Sequence, residues 1–232
     1  MTIIKKQQLT NIAVFLFIMK QLHECHFFYR YSLSEFYAQK ISEYLINIGH
    51  FKKSEKTEKD EDVKGIDRYV AFKNKSEKIP IQFKIRDKRS DIPISRFQPF
   101  WGLNNKKTIV GRDYVSLENK VSKFYYTAKK NNENIFDEVL IIESNKLHEI
   151  IKEAEDEMKN EKYNLFSDSE IKKITKSFKK VQKMFTASNG VEAWFQKNIN
   201  ENIAKINLYV PKYYASEVIS IDYNFAKSMK TV

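Results

Sequence analysis

The stretch Gly65-Ile66-Asp67-Arg68-Tyr69-Val70-Ala71-Phe72, a polar run, and then Ile79-Pro80-Ile81-Gln82-Phe83-Lys84-Ile85-Arg86 decide the reading of the chain. Residues 66–72 have the β-branched and aromatic composition of a strand, and residues 74–78 that of a turn. Residues 79–85 alternate, with Ile79, Ile81, Phe83 and Ile85 on one face. Gln82, Lys84 and Arg86 share the other face, because side chains alternate across a strand. The spacing predicts an antiparallel hairpin. Such a hairpin brings Asp67, Gln82 and Lys84 together near one end of a sheet.

Outward from the hairpin, the period changes to that of helices. Tyr37, Ile41, Tyr44, Leu45 and Ile48 form one apolar stripe, with Ser34 as the expected N-cap and Gly49 as the residue that ends the helix. Residues 9–30 read as an earlier helix, and the charged run 52–64 as an exposed loop. Further strands are expected at 121–127 and 138–143, helices at about 145–160 and 169–186, and a hairpin from 191–196 and 205–210. The order predicts an α/β or α+β fold with a central mixed β-sheet flanked by helices. The expected division is an N-terminal helical segment (1–32), a core (33–160) and a C-terminal helix and β-hairpin extension (161–232) packed on that core.

Composition narrows the function classes. The chain has 232 residues, 42% of them hydrophobic and 14% aromatic, which excludes a disordered protein. A single cysteine, Cys25, excludes an internal disulfide framework and a cysteine-cluster zinc site, and fits a reducing compartment. His23 and His26 share a helix face with Cys25 nearby, but a third ligand is missing. The apolar run Ile12 to Met19 is far shorter than the ~20 residues a spanning helix needs, so no membrane is expected and the location is read as cytoplasmic. The net charge of +11 points to a polyanionic partner, DNA first, or reflects a lysine-rich composition. No nucleotide-binding glycine loop and no G-x-S-x-G nucleophile elbow is present.

A carboxylate, an amide oxygen and a lysine held together suit phosphodiester hydrolysis. The carboxylate can hold Mg²⁺ or Mn²⁺ through oxygen, and the ammonium offsets developing charge. The same residues also have plainer readings: Asp67 as a turn or cap residue, and Gln82 with Lys84 as a solvated pair.

In this segment the chain resembles the PD-(D/E)xK nuclease superfamily, and within it the Mrr-like restriction endonucleases. The resemblance rests on Gly65-Ile66-Asp67, on Gln82-Phe83-Lys84 in place of E-x-K, and on a helix ending Leu45-Ile46-Asn47-Ile48-Gly49 before the aspartate. It covers about residues 33–90 and implies a restriction-endonuclease-like core. It also implies Asp67 as principal metal ligand, with Gln82 and the Phe83 carbonyl beside it, and Lys84 as the catalytic lysine. The family's helix acid falls on Gln39, a departure, so Glu35 is the expected substitute, with Glu43, Asp60 and Asp62 as other candidates. Arg86, Lys88, Arg89 and Arg96 follow the Q-x-K strand and are the expected DNA-backbone contacts. Phe97, Phe100 and Trp101 either stack on bases or join the core. The lysines at 172–183 read as a solvated helix face. The expected activity is metal-dependent DNA cleavage in restriction, defence or mobile-element processing, with a homodimer considered as the assembly. The alternative is a nuclease-derived binding or interaction module without catalysis.

Overall fold

The structure, a computed structural model, describes residues 33–58, 66–73, 75, 77–87, 91–101, 106–131, 133, 135–159, 182–198 and 203–229. Helix 9–30, the His23–Cys25–His26 group, Asp60, Asp62, Gly65, Lys88, Arg89 and the lysine helix up to residue 181 lie outside the described residues. So do the side chains of Arg86, Phe97, Phe100 and Trp101.

The chain enters through α1 (33–47). Ala38, Ile41 and Leu45 bury one stripe of this helix against a sheet. Ser34 is already helical and is not the N-cap. Ile48 departs from the expected stripe: it lies past the last helical turn and is 49% exposed. Gly49 has φ +79°. Its N–H bonds to the Ile46 carbonyl at 2.9 Å and the His50 N–H to the Leu45 carbonyl at 2.8 Å, a Schellman end that favours glycine.

Six strands form the sheet under α1: β1 (Lys53–Lys56), β2 (Arg68–Ala71), β3 (Ile79–Asp87), β6 (Phe124–Lys130), β7 (Phe136–Glu143) and β11 (Glu217–Ser220), in the order β1-β2-β3-β6-β7-β11. Only β3 and β6 run parallel, so the sheet is mixed as expected. The hairpin β2–β3 forms in the expected sense, with Arg68 opposite Ile81 and Tyr69 opposite Pro80. The charged run after Phe51 is corrected: its first part is β1, an edge strand whose lysines and glutamate blunt the open edge.

A second, antiparallel sheet was not expected. It comprises β4 (Ile92–Trp101), β5 (Lys106–Val110), β8 (Gln182–Thr186), β9 (Glu192–Asn198) and β10 (Ile203–Val210), ordered β5-β4-β10-β9-β8. The predicted C-terminal hairpin is real as β9–β10, but β4 pairs with β10, so it completes a sheet begun before residue 100. Residues 182–186, read as the end of a helix, pair with β9 instead.

Helix α3 (Ser144–Lys159) packs between the two sheets, burying Leu147, Ile150, Ile151, Ala154 and Met158 with Ile92, Ile94, Tyr125, Phe195 and Leu208. The short α2 (Arg112–Glu118) leaves β5 through Gly111, where a Cβ would meet the Ser95 carbonyl oxygen at 1.6 Å. Only glycine fits that approach. A 3₁₀ turn (Lys212–Tyr214) and α4 (Tyr223–Ser228) complete the described elements. Among the described residues no helix is long and apolar enough to cross a membrane.

Candidate active site

The β2–β3 ladder ends at Arg68 opposite Ile81. Just beyond, Asp67 is tied to β3 twice. Its N–H donates to the Ile81 carbonyl at 3.0 Å, and its Oδ2 accepts the Phe83 N–H at 2.7 Å. The carboxylate therefore takes the place of the next ladder carbonyl, level with the Gln82-Phe83-Lys84 segment. A strand residue turns its N–H and C=O toward the same neighbour, so the Phe83 carbonyl also projects to the Asp67 side. Thr57 secures the approach from the other edge, its hydroxyl donating to the Ile66 carbonyl at 2.7 Å.

Gln82 and Lys84 sit on the face of β3 opposite Ile81 and Phe83, beside Tyr125 and Thr127 of β6. Gln82 is 1% exposed and Lys84 half-buried. The plain reading of Gln82 as a solvated strand residue is thereby excluded.

Glu35 is placed differently from these three. It stands on the α1 side of the sheet, where its Oε1 accepts from Arg68 Nη2 at 2.7 Å, with Lys56 Nζ at 3.6 Å. Arg68 Nη1 donates to Gln39 Oε1 at 2.9 Å, and Gln39 Nε2 donates to Glu43 at 3.0 Å. Glu35, Gln39 and Glu43 on the helix thus form one polar ladder on a buried arginine. Arg68 is 1% exposed. Burial loosens its hold on the proton, and the charges of Glu35, Asp67 and Glu43 oppose that loosening. Hydrogen bonds from Gln39 and Lys40 hold the Glu43 carboxyl below its ordinary range.

Arg68 is the residue the sequence reading passed over. Its signal was present: in Ile66-Arg68-Val70 a cation stands at an inward position of an alternating strand.

The donor chemistry here fits a hard cation. Asp67 offers carboxylate oxygen, with the Phe83 carbonyl and the Gln82 amide beside it. Mg²⁺ keeps much of its water and is commonly held by one or two carboxylates together with substrate phosphate. Around Arg68 the carboxylates of Glu35, Asp67 and Glu43 act on one guanidinium, while Lys56 also reaches Glu35 at 3.6 Å and Lys40 pairs with Glu43 at 3.0 Å. Among the described residues no group of three or more His, Cys, Asp or Glu side chains is gathered as a ready-made cage.

Arg96 departs from the phosphate-facing position expected of it. Its Nε donates to Glu155 Oε1 at 2.8 Å, and the guanidinium lies 3.8 Å over the Tyr114 ring. Tyr114 donates its hydroxyl to Glu155 Oε2 at 2.7 Å. Burial pushes the Glu155 carboxyl upward, while Arg96 and Tyr114 pull it back. Burial, with Glu155 beside it, also raises the Tyr114 phenol. This closed triad joins β4, α2 and α3.

No family model matches the chain, and neither the curated proteins nor the solved structures contain a match.

Proposed function

We propose that the chain is a Mg²⁺- or Mn²⁺-dependent nuclease that hydrolyses DNA at Asp67, Gln82 and Lys84. The observation that carries this reading is the bond from the Phe83 N–H to Asp67 Oδ2 at 2.7 Å, which sets a carboxylate against the one strand segment bearing Gln82 and Lys84. Asp67, the Phe83 carbonyl and Gln82 would hold the cation. When bound, it supplies charge neutralisation at the phosphate and a water of lowered pKa. The Phe83 N–H fixes the orientation of the Asp67 carboxylate. Lys84 holds a positive charge on the same segment, where it offsets the charge that grows on the phosphoryl oxygens. Restriction, defence or mobile-element processing is the kind of role such an activity serves.

A second reading, a binding module without catalysis, draws on Gln82. It is neutral where a carboxylate would hold metal more firmly, and it is buried.

The test is incubation of plasmid and single-stranded DNA with Mg²⁺, Mn²⁺ or EDTA. Metal-dependent cleavage is expected, lost in Asp67→Asn and reduced ~10²–10³-fold in Lys84→Ala. Full cleavage by Lys84→Ala, or no metal-dependent cleavage by the native chain, overturns the proposal. Calorimetric titration of Gln82→Glu separates the two readings. Tighter Mg²⁺ supports a metal site. Unchanged metal affinity with weaker DNA binding supports the binding module.

A further inference from the structure

Beside this site the same sheet carries a cleft whose chemistry the proposed cleavage does not use. Its volume is about 240 Å³, and Lys52, Lys53, Lys75, Lys78, Glu55 and Tyr69 line it around Ala71. Register explains the convergence. Lys53 lies opposite Ala71 and Glu55 opposite Tyr69 on the β1 side, and Tyr69 lies opposite Pro80 on the β3 side. Residues directly opposite share a face, so β1, β2 and β3 present these side chains together. Arg68 and Val70 turn the other way and are buried. Alternation along β3 puts Pro80, Gln82 and Lys84 on the cleft's face. At ~3.3 Å per residue, Lys84 lies about 20 Å along the strand from Lys78.

The charge of the cleft is unbalanced. Four ammonium groups face one carboxylate, Glu55, which both Lys53 and Lys78 contact. Those two hydrogen bonds hold the Glu55 carboxyl down to about 2, so it stays ionised and the excess is three positive charges. Lys53 and Lys78 keep 64% and 61% of their side-chain surface in solvent, so a strand can reach them. The Tyr69 ring lies among these lysines. Backbone charge on both sides of an aromatic ring is the pairing that holds single-stranded nucleic acid, with phosphates on lysine and a base on the ring.

We infer that this cleft is a subsite for one strand of nucleic acid, in which Lys53 and Lys78 hold consecutive stretches of backbone and Tyr69 stacks a base. The choice of occupant rests on the nuclease reading above; the cleft itself rests on register and charge. The strand would run from Lys78 past Tyr69 toward Asp67 and Lys84, both partly exposed, so the cleft would hold the substrate to one side of the cleaved bond.

The experiment is fluorescence anisotropy of a labelled 20-nucleotide oligo(dT) with the full chain in EDTA, where cleavage cannot intervene. Lys53→Glu/Lys78→Glu should weaken binding at least tenfold and flatten the salt dependence. Each lost phosphate contact removes ~0.7 from the slope of log affinity against log salt, so about 1.4 is expected for the pair. Tyr69→Ala should cost at least ~5-fold on oligo(dT) and nothing on an abasic oligonucleotide of equal length, because only stacking is lost. A Lys52→Ala/Lys75→Ala variant, checked by thermal melting, guards against a folding artefact in the charge reversal. Unchanged affinity and salt slope in both lysine variants overturn the cleft. An equal loss on heparin with Tyr69→Ala silent also overturns it, since any polyanion would then serve. Binding lost in the cleft variants of a chain that never cleaves plasmid sustains the cleft and ends the nuclease reading. Normal cleavage and affinity in the cleft variants do the reverse.

Discussion

Arg68 and Arg96 are two inward-facing arginines built to different ends. Arg96 and its acid close on each other: the side chains of Arg96 and Glu155 keep 12% and 6% of their surface, and Tyr114 takes the second carboxylate oxygen. Arg68 is more deeply buried, yet its partner Glu35 stays 31% exposed, and Asp67 and Glu43 act on the same guanidinium. The first cluster balances and seals its charge between three elements of the second layer. The second stays partly open to solvent at the end of β2, with Lys56 and Lys40 as further partners of its acids, beside the strand that carries Gln82 and Lys84. A buried ion pair is weak evidence for stability by itself, because desolvation offsets much of the attraction. The difference lies in how far each cluster is closed to solvent.

The largest expected effect breaks the closed cluster. Glu155→Ala strands a buried guanidinium and should cost about 3–5 kcal/mol of stability, read by urea unfolding. A loss below ~1 kcal/mol would mean that the triad is solvated or rearranged.

The matching change at the other arginine should cost less. Glu35→Ala leaves Arg68 its bond to Gln39 and the nearby charge of Asp67, so about 1–3 kcal/mol is expected. Glu35→Gln should recover part of this loss by keeping an acceptor. Equal losses for Glu35→Ala and Glu155→Ala would erase the contrast between the clusters.

The smallest effect concerns pH. Burial raises the Glu155 carboxyl above its unfolded value, so the folded state binds more protons between those two values. Glu155 therefore costs no stability below the unfolded carboxylate pKa and its full cost above the raised one; stability falls as pH rises through that window. Glu155→Gln should remove this downward slope, and the difference between the two unfolding profiles isolates it. A difference that stays flat across the carboxylate range would place the Glu155 carboxyl at its ordinary value.

The clusters also mark where sequence reading stops. The hairpin of β2 and β3 was legible because period-two alternation and a polar turn are local signals. The placement of Asp67 against the Gln82-Phe83-Lys84 segment was legible for the same reason, since two adjacent strands set them side by side. Arg68 was not read, although its inward position could be counted, because the meaning of a buried cation depends on Glu35 and Gln39 more than 25 residues away. Arg96 was assigned to phosphate because it follows a basic stretch, and only Glu155, 59 positions on, turns it inward.

The amino-acid sequence by itself determined α1 and its glycine end, the β2–β3 hairpin, α3 and the β9–β10 hairpin. Each follows from periodicity or turn chemistry within a window of a dozen residues. Only the tertiary structure decided that β4 and β5 join β8, β9 and β10 in a second sheet. The prolines at 93 and 99 and the mixed charges of 86–101 hide any alternation, and β4 is paired on one side with β5 and on the other with β10, a hundred residues later. The tertiary structure also decided that Gln82 is buried, that Glu35 belongs to Arg68, and that Lys52, Lys53, Lys75 and Lys78 meet around Tyr69. Burial and charge balance are sums over neighbours, and those neighbours are set by packing.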